Sequence, residues 1–190
     1  MPTLTLISKE YPPNEYSGIG NTARILEKFY SKIPDLKVNV ITYNYDSRGN
    51  KVEIEKKNNF TVYKIKGPSL FEKFVGFLYK PYLLFPIYVG IFSLFNKKLF
   101  RETDLIHSLH VRDVTFLKRQ KKPLILNLSD NYGFLVPFNF FKYPFEEKGK
   151  FRKYLNHMWF RLLDTISINR ATSLLCSCNY SKNFIENKFR

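Results

Sequence analysis

Six short apolar runs, spaced along the chain and separated by segments of helical period, constrain this sequence more than any other feature. They are "TLTLIS" (3–8), "KVNVITY" (37–43), "FTVYKIK" (60–66), "DLIHSLH" (104–110), "PLILNLS" (123–129) and "TSLLCSC" (172–178). Runs of this length that are nearly all apolar suit strands buried on both faces, and strands alternating with helices build a parallel sheet under two helical layers. From Ile19 the apolar positions Ile19, Ala23, Leu26, Tyr30 and Ile33 recur at helical spacing up to Pro34. Helical period also marks 112–121, 151–171 and 179–189, and the polar stretch 44–59 has room for a short edge strand. The expected architecture is a Rossmann-like α/β parallel sheet with helices on both faces. At 190 residues, with no internal repeat or linker, it forms one domain, 1–190.

In an open parallel sheet, ligands sit beyond the carboxyl ends of the strands, so the residues just past each run carry the functional signal. After the first run, "EYPPNEYSGIG" brings Ser17, Gly18 and Gly20 to the start of a helix. Glycine lets a ligand approach the backbone, and a helix start presents N–H groups and a positive dipole end. The loop is not the dinucleotide fingerprint, because Ala23 stands at the third glycine position. A tight turn and a ligand cradle both fit this pattern. His107 lies inside its strand, as a satisfied core histidine would, whereas His110 stands at the strand end, able to act as a hydrogen-bond donor or a base. The fifth run ends in Ser129 and Asp130, again polar groups at a carboxyl edge.

Taken in order, "EYPP", "SGIG", "DLIHSLH", "PLILNLSD" and "RATSLLCSCNYSKNFI" resemble the amino-terminal, acceptor-binding domain of family 4 glycosyltransferases, enzymes of the GT-B architecture. The resemblance covers nearly the whole chain. It implies a retaining, metal-independent enzyme with no cofactor beyond its co-substrate, a nucleotide-sugar donor. It assigns Gly18 and Gly20 to the glycine loop near the donor phosphates, with Ser17 replacing a first glycine. It assigns His110 to the second histidine of a "DxxHxH" run facing the reacting sugar, and Asp130 to the aspartate of a later "HD" pair in which Ser129 replaces the histidine. Family members continue into a second domain that binds the nucleotide sugar. That domain is expected to be absent here and supplied by a separate subunit, unless the chain is a truncated or non-catalytic, membrane-associated relative.

The formal charge of +15 favours anionic partners. Residues 74–96 are apolar enough to reach the length of a membrane span, but Pro81 and Pro86 interrupt them. A core helix with a partly exposed apolar face is the expected form. Lys73, Lys80, Lys97, Lys98 and Arg101 flank that stretch, and a second basic group (Lys148, Lys150, Arg152, Lys153, Arg161) accompanies Trp159 and Phe160. Such mixtures suit an anionic bilayer surface, as would a lipid-linked or glycan acceptor there; a solvated basic face is the plain alternative. A nucleic-acid partner would use the same charge, but the sequence lacks an RNA-recognition motif, a zinc finger and a helix-turn-helix. The start "MPTLTLISKEYPP" lacks a secretory pattern, and Cys176 and Cys178 make a poor zinc site. The expected location is cytoplasmic, peripheral on the inner face of the cell membrane.

Overall fold

A computed structural model describes residues 1–45, 52–67, 84–119, 121–128 and 150–176, together with 179, 182, 183 and 186; for 150–157 it describes the backbone alone. The strands are β1 (Thr3–Ile7), β2 (Lys37–Tyr43), β3 (Glu53–Lys57), β4 (Phe60–Ile65), β5 (Leu105–Ser108), β6 (Leu124–Leu128) and β7 (Ser173–Cys176). The helices are α1 (Gly18–Tyr30), α2 (Phe85–Phe95), α3 (Lys97–Glu102) and α4 (Lys150–Ile168), with a 3-10 helix over Val111–Val114. The sheet runs β3-β4-β2-β1-β5-β6-β7. Every pairing is parallel except β3 with β4, so β3 is the antiparallel edge strand for which 44–59 had room. Removing β3 leaves the Rossmann order, in which chain construction turns back between β1 and β5.

Alternation along the strands sorts two cores onto the two faces. Leu4 and Leu6 of β1, Val38 and Val40 of β2, and Phe60 and Val62 of β4 pack with Ile19 and Ala23 of α1. Ile7, Ile41 and Ile65, one or three positions out of phase, pack with Phe85, Val89 and Phe92 of α2. Ile168 of α4 belongs to that second core. The sheet is therefore covered on both faces, as near-continuous apolar strands require.

Two expectations are corrected. The helix over 112–121 is a single 3-10 turn, Val111–Val114, followed by turns. Its buried residues Val111, Val114 and Leu117 recur every third position, and Asp113, Thr115 and Leu117 each donate to the carbonyl three residues back. Ile33 lies beyond the end of α1 and is exposed.

The expected core helix with a partly exposed apolar face is found in the described part of the stretch. In α2, Phe85, Tyr88, Val89 and Phe92 are buried, whereas Ile91, Leu94 and Phe95 are exposed, Phe95 to 83%. Among the described residues, no helix is long and apolar enough to cross a membrane. Residues 74–83 lie outside the described set.

Candidate active site

β1 and β5 are adjacent and parallel, with Ile7 opposite Ser108. The loops that follow them consequently leave the same sheet edge, at the point where the strand order reverses. Crevices of doubly wound sheets open there. A serine stands just after β1 and another closes β5, and the hydroxyl of each donates to the carbonyl two residues on: Ser8 to Glu10 at 2.6 Å and Ser108 to His110 at 2.8 Å. Both loops are thereby folded over their own strand ends.

The loop after β1 is organised by a residue that the motif reading passed over. The buried Glu10 carboxylate accepts from the backbone N–H of Tyr16 (3.2 Å) and of Ser17 (2.8 Å), and from the Ser17 hydroxyl (2.8 Å). Ser17 is the N-cap of α1, its Oγ accepting from the Ile19 N–H at 3.2 Å. One carboxylate thus sits at the positive end of α1 and folds the preceding loop around itself. The two glycines do different things. A Cβ on Gly20 would stand 2.8 Å from the Glu15 Cα and 3.1 Å from the Glu10 Oε2, whereas one on Gly18 would meet nothing within 4 Å. Gly20 is a packing glycine inside the loop, and Gly18 faces open space.

His110 caps the 3-10 helix. It is buried, and its Nδ1 accepts from the Arg112 backbone N–H at 3.2 Å. Burial, followed by the nearby Arg112 and Lys9 charges, holds its pKa well below the ordinary value. The ring is therefore neutral near pH 7, and with Nδ1 engaged as an acceptor its proton resides on Nε2. Of the two roles the sequence left open, the geometry favours donor over base. The two histidines stand three apart, one residue more than in the "DxxHxH" pattern, and the extra length has a structural reason. Leu109 continues the sheet by donating its N–H to the Ile7 carbonyl and is 1% exposed within the α1-side core, so the residue that turns out of the strand is His110. His107 is the satisfied core histidine: Tyr30 Oη lies 3.1 Å from Nδ1 and Asn127 Oδ1 lies 3.1 Å from Nε2.

Asp113 joins the two loops. Buried between them, its Oδ2 accepts from the Lys9 N–H at 3.2 Å, and its Oδ1 lies 3.8 Å from the His110 Nδ1. Burial raises its carboxyl to about 7, against the opposing pull of Lys9 and Arg112. Arg112 is held from the far side by a bidentate pair with Asp164 of α4, at 2.7 and 3.0 Å. The guanidinium also stacks 4.5 Å above the Phe160 ring. Phe160 therefore serves the site's support, while Trp159 beside it is half exposed. Ser17, Gly18 and Gly20 follow β1 and His110 follows β5, strands that pair side by side; Ser129 and Asp130 lie outside the described residues. Glu10, Asp113 and the Arg112–Asp164 pair complete the arrangement.

The fold is Rossmann-like α/β and matches one half of the GT-B architecture. Over 100% of the chain it matches the alpha,alpha-trehalose 6-phosphate synthase of Burkholderia multivorans, with a TM-score of 0.55 and 13% identity. The alpha,alpha-trehalose-phosphate synthase (UDP-forming) of Burkholderia vietnamiensis matches over the same 100%, at 0.52 and 12%. The chain spans 44% and 42% of those proteins, less than half of each. At this identity the likeness is one of fold, and it extends to GT-B enzymes without singling out family 4. No protein-family model and no curated protein matches the sequence.

Proposed function

We propose that this chain is the acceptor-binding half of a retaining, metal-independent glycosyltransferase. It moves a sugar from a nucleotide donor to a lipid-linked or glycan acceptor at an anionic membrane surface. The observation that carries the proposal is the buried His110 just past the carboxyl end of β5, its Nδ1 accepting from the Arg112 N–H. With its Nδ1 occupied by the chain's own backbone, the neutral ring offers Nε2–H as its one donor. A pre-oriented donor that needs no reorganisation suits charge development on a sugar or diphosphate oxygen. The UDP-forming neighbour supports a nucleoside diphosphate as the leaving group. Gly18 offers an approach for the donor phosphates, Gly20 and Ser17 set the loop that carries it, and Ser129 and Asp130 are further substrate-binding residues. The donor pocket proper comes from a second domain or subunit.

Membrane contact is assigned to the exposed Ile91, Leu94 and Phe95 of α2, which run into Lys97, Lys98 and Arg101. Each basic residue near an anionic bilayer contributes roughly 1 kcal/mol. On this reading the protein works in the cytoplasm, peripheral on the inner face of the cell membrane.

The test is nucleoside diphosphate release by the assembly that contains this chain. His110→Ala should lower kcat by about 10- to 100-fold, the worth of one hydrogen bond to a charged group, assayed where the variant is folded, since it also loses the cap of the 3-10 helix. An unchanged rate removes His110 from the site. Activity should persist in chelator, and loss there refutes metal independence. Failure to sediment with anionic liposomes at low salt refutes the membrane assignment.

A further inference from the structure

The sheet edge opposite the crevice carries a second concentration of chemistry. Two cavities, of about 180 and 340 Å³, flank the segment between the 3-10 helix and β6 and share Lys118, Arg119, Lys121 and Lys122 as a common wall. The smaller cavity adds Arg170 and reaches Ile106, Leu124 and Thr172, at the amino ends of β5, β6 and β7. The larger adds Lys97 and Arg101 from α3. With β5 and β6 four and five residues long, at ~3.3 Å rise per residue this edge lies roughly 13–17 Å from the His110 rim.

Three features separate this edge from an ordinary solvated basic face. First, its charge is uncompensated. Several basic side chains elsewhere have acidic partners, as in Lys57–Glu27, Lys64–Glu55 and Arg24–Glu15. Here Lys122 stands 3.8 Å from Asp104, but Lys97, Arg101, Lys118, Arg119 and Lys121 form no ion pair among the described residues. Second, like charges are forced together: burial, and then the neighbouring Arg119, lower the pKa of Arg170. Third, the wall is braced. Arg170 donates to the carbonyl of Thr115 at 2.9 Å and to that of Leu117, and the Lys118 N–H donates to the Ser93 hydroxyl at 3.4 Å. At ~30 Å³ per water, the smaller cavity has room for about six waters, enough for a phosphate group and its hydration.

We infer that this edge is a binding site for a ligand carrying two or more phosphate groups, one seated in each cavity across the shared Lys118–Lys122 wall. The inference does not depend on the sugar-transfer reading, because it uses none of the residues of the crevice. Phosphate could be delivered by a free oligophosphate or by lipid headgroups. The concave, braced walls favour the free ligand.

Inorganic tripolyphosphate is the probe, titrated into the full chain by calorimetry at low salt. One equivalent should bind, with affinity falling as ionic strength rises. The exposed pair Lys118→Gln/Arg119→Gln should weaken binding at least 10-fold while the melting temperature holds. Lys28→Gln/Lys56→Gln removes the same charge elsewhere on the surface and should change affinity less than twofold. Equal weakening by both pairs means diffuse charge attraction and overturns the site, as does undetectable binding. Vesicles of phosphatidylglycerol form the second arm. Vesicle binding lost in the Lys118/Arg119 variant, with no tripolyphosphate binding to the unmodified chain, assigns the phosphate to lipid and overturns the free-ligand reading.

Discussion

The two glycines of "SGIG" look equivalent in the sequence, and the structure predicts opposite responses to the same change. In Gly20→Ala the added methyl would stand 2.8 Å from the Glu15 Cα, a backbone atom, and 3.0 Å from its Cβ. Neither can swing away as the end of a flexible side chain would. Overpacking of this kind costs about 1–3 kcal/mol, offset by the roughly 0.5–1 kcal/mol that alanine gains over glycine in a helix. The net loss of up to about 2.5 kcal/mol becomes a fall in melting temperature of up to roughly 10 °C, at ~2–4 °C per kcal/mol for a domain of this size. In Gly18→Ala the methyl enters open space. Only the helix gain remains, a rise of up to about 4 °C. Thermal unfolding followed by circular dichroism reads both. If Gly20→Ala melts at or above the unmodified chain, or Gly18→Ala melts below Gly20→Ala, the division of labour between the two glycines is wrong. A ligand assay adds the functional half: on the proposed sugar-transfer function, Gly18→Ala should weaken nucleotide-sugar binding by the assembly that contains this chain, without loss of stability.

Removing one partner of the buried pair between Arg112 and Asp164, the latter 4% exposed at its side chain, should cost more. Asp164→Ala is expected to lose about 3–5 kcal/mol in urea denaturation, whereas Arg112→Met/Asp164→Leu should recover most of it, because no charge is left stranded. Asp113 makes stability depend on pH. With its carboxyl raised to about 7, the folded chain keeps a proton that the unfolded chain has released above pH 4. Its contribution is complete below the unfolded value of 3.8 and falls by about 1.4 kcal/mol per pH unit until it is gone above pH 7. Asp113→Asn should therefore gain stability relative to the unmodified chain from pH 5 to pH 7; parallel stability curves would contradict this. His110, with its pKa lowered, contributes in the opposite sense, its share being lost as pH falls below 6.5. Because it is present in both chains, the difference between them reports Asp113. Ser17→Ala removes the cap of α1 and should cost ~1 kcal/mol, read as a lower melting temperature.

Much of the fold is legible because strands buried on both faces leave an unmistakable record: Leu4, Leu6, Val38, Val40, Ile106 and Leu126 are all buried within the runs read as strands. The 3-10 helix shows where that reading slips. Val111, Val114 and Leu117 satisfy a loose helical pattern, yet their spacing is three throughout, the period of a 3-10 turn and not of an α-helix. The supporting pair on α4 is half legible. Leu163, Asp164, Ser167 and Ile168 form one buried stripe, and two polar residues in such a stripe imply a partner. Local sequence is silent on which one, because Arg112 and Thr115 lie about fifty positions earlier, and only the sheet topology brings them opposite.

Glu10 is the least legible and changes the chemistry most. A glycine-opened helix start reads as an empty anion cradle, yet the cradle is already partly filled: the Glu10 carboxylate takes the Tyr16 and Ser17 N–H groups and lies 3.1 Å from where a Gly20 Cβ would be. A donor phosphate brought to α1 would therefore meet a resident negative charge, and it would approach past Gly18, the open position. The same carboxylate lies close enough to Asp113 to help raise it, so the loop that shapes the helix start also sets the electrostatics beneath His110. Glu10→Gln keeps the size and one acceptor oxygen but removes the charge. If a resident carboxylate limits phosphate approach, this variant binds a nucleotide sugar more tightly in the assembled enzyme while losing about 1–2 kcal/mol of stability from its weakened charge-assisted hydrogen bonds. Weaker binding by a variant that remains folded would mean that Glu10 orients the ligand directly, and the open route past Gly18 would have to be abandoned.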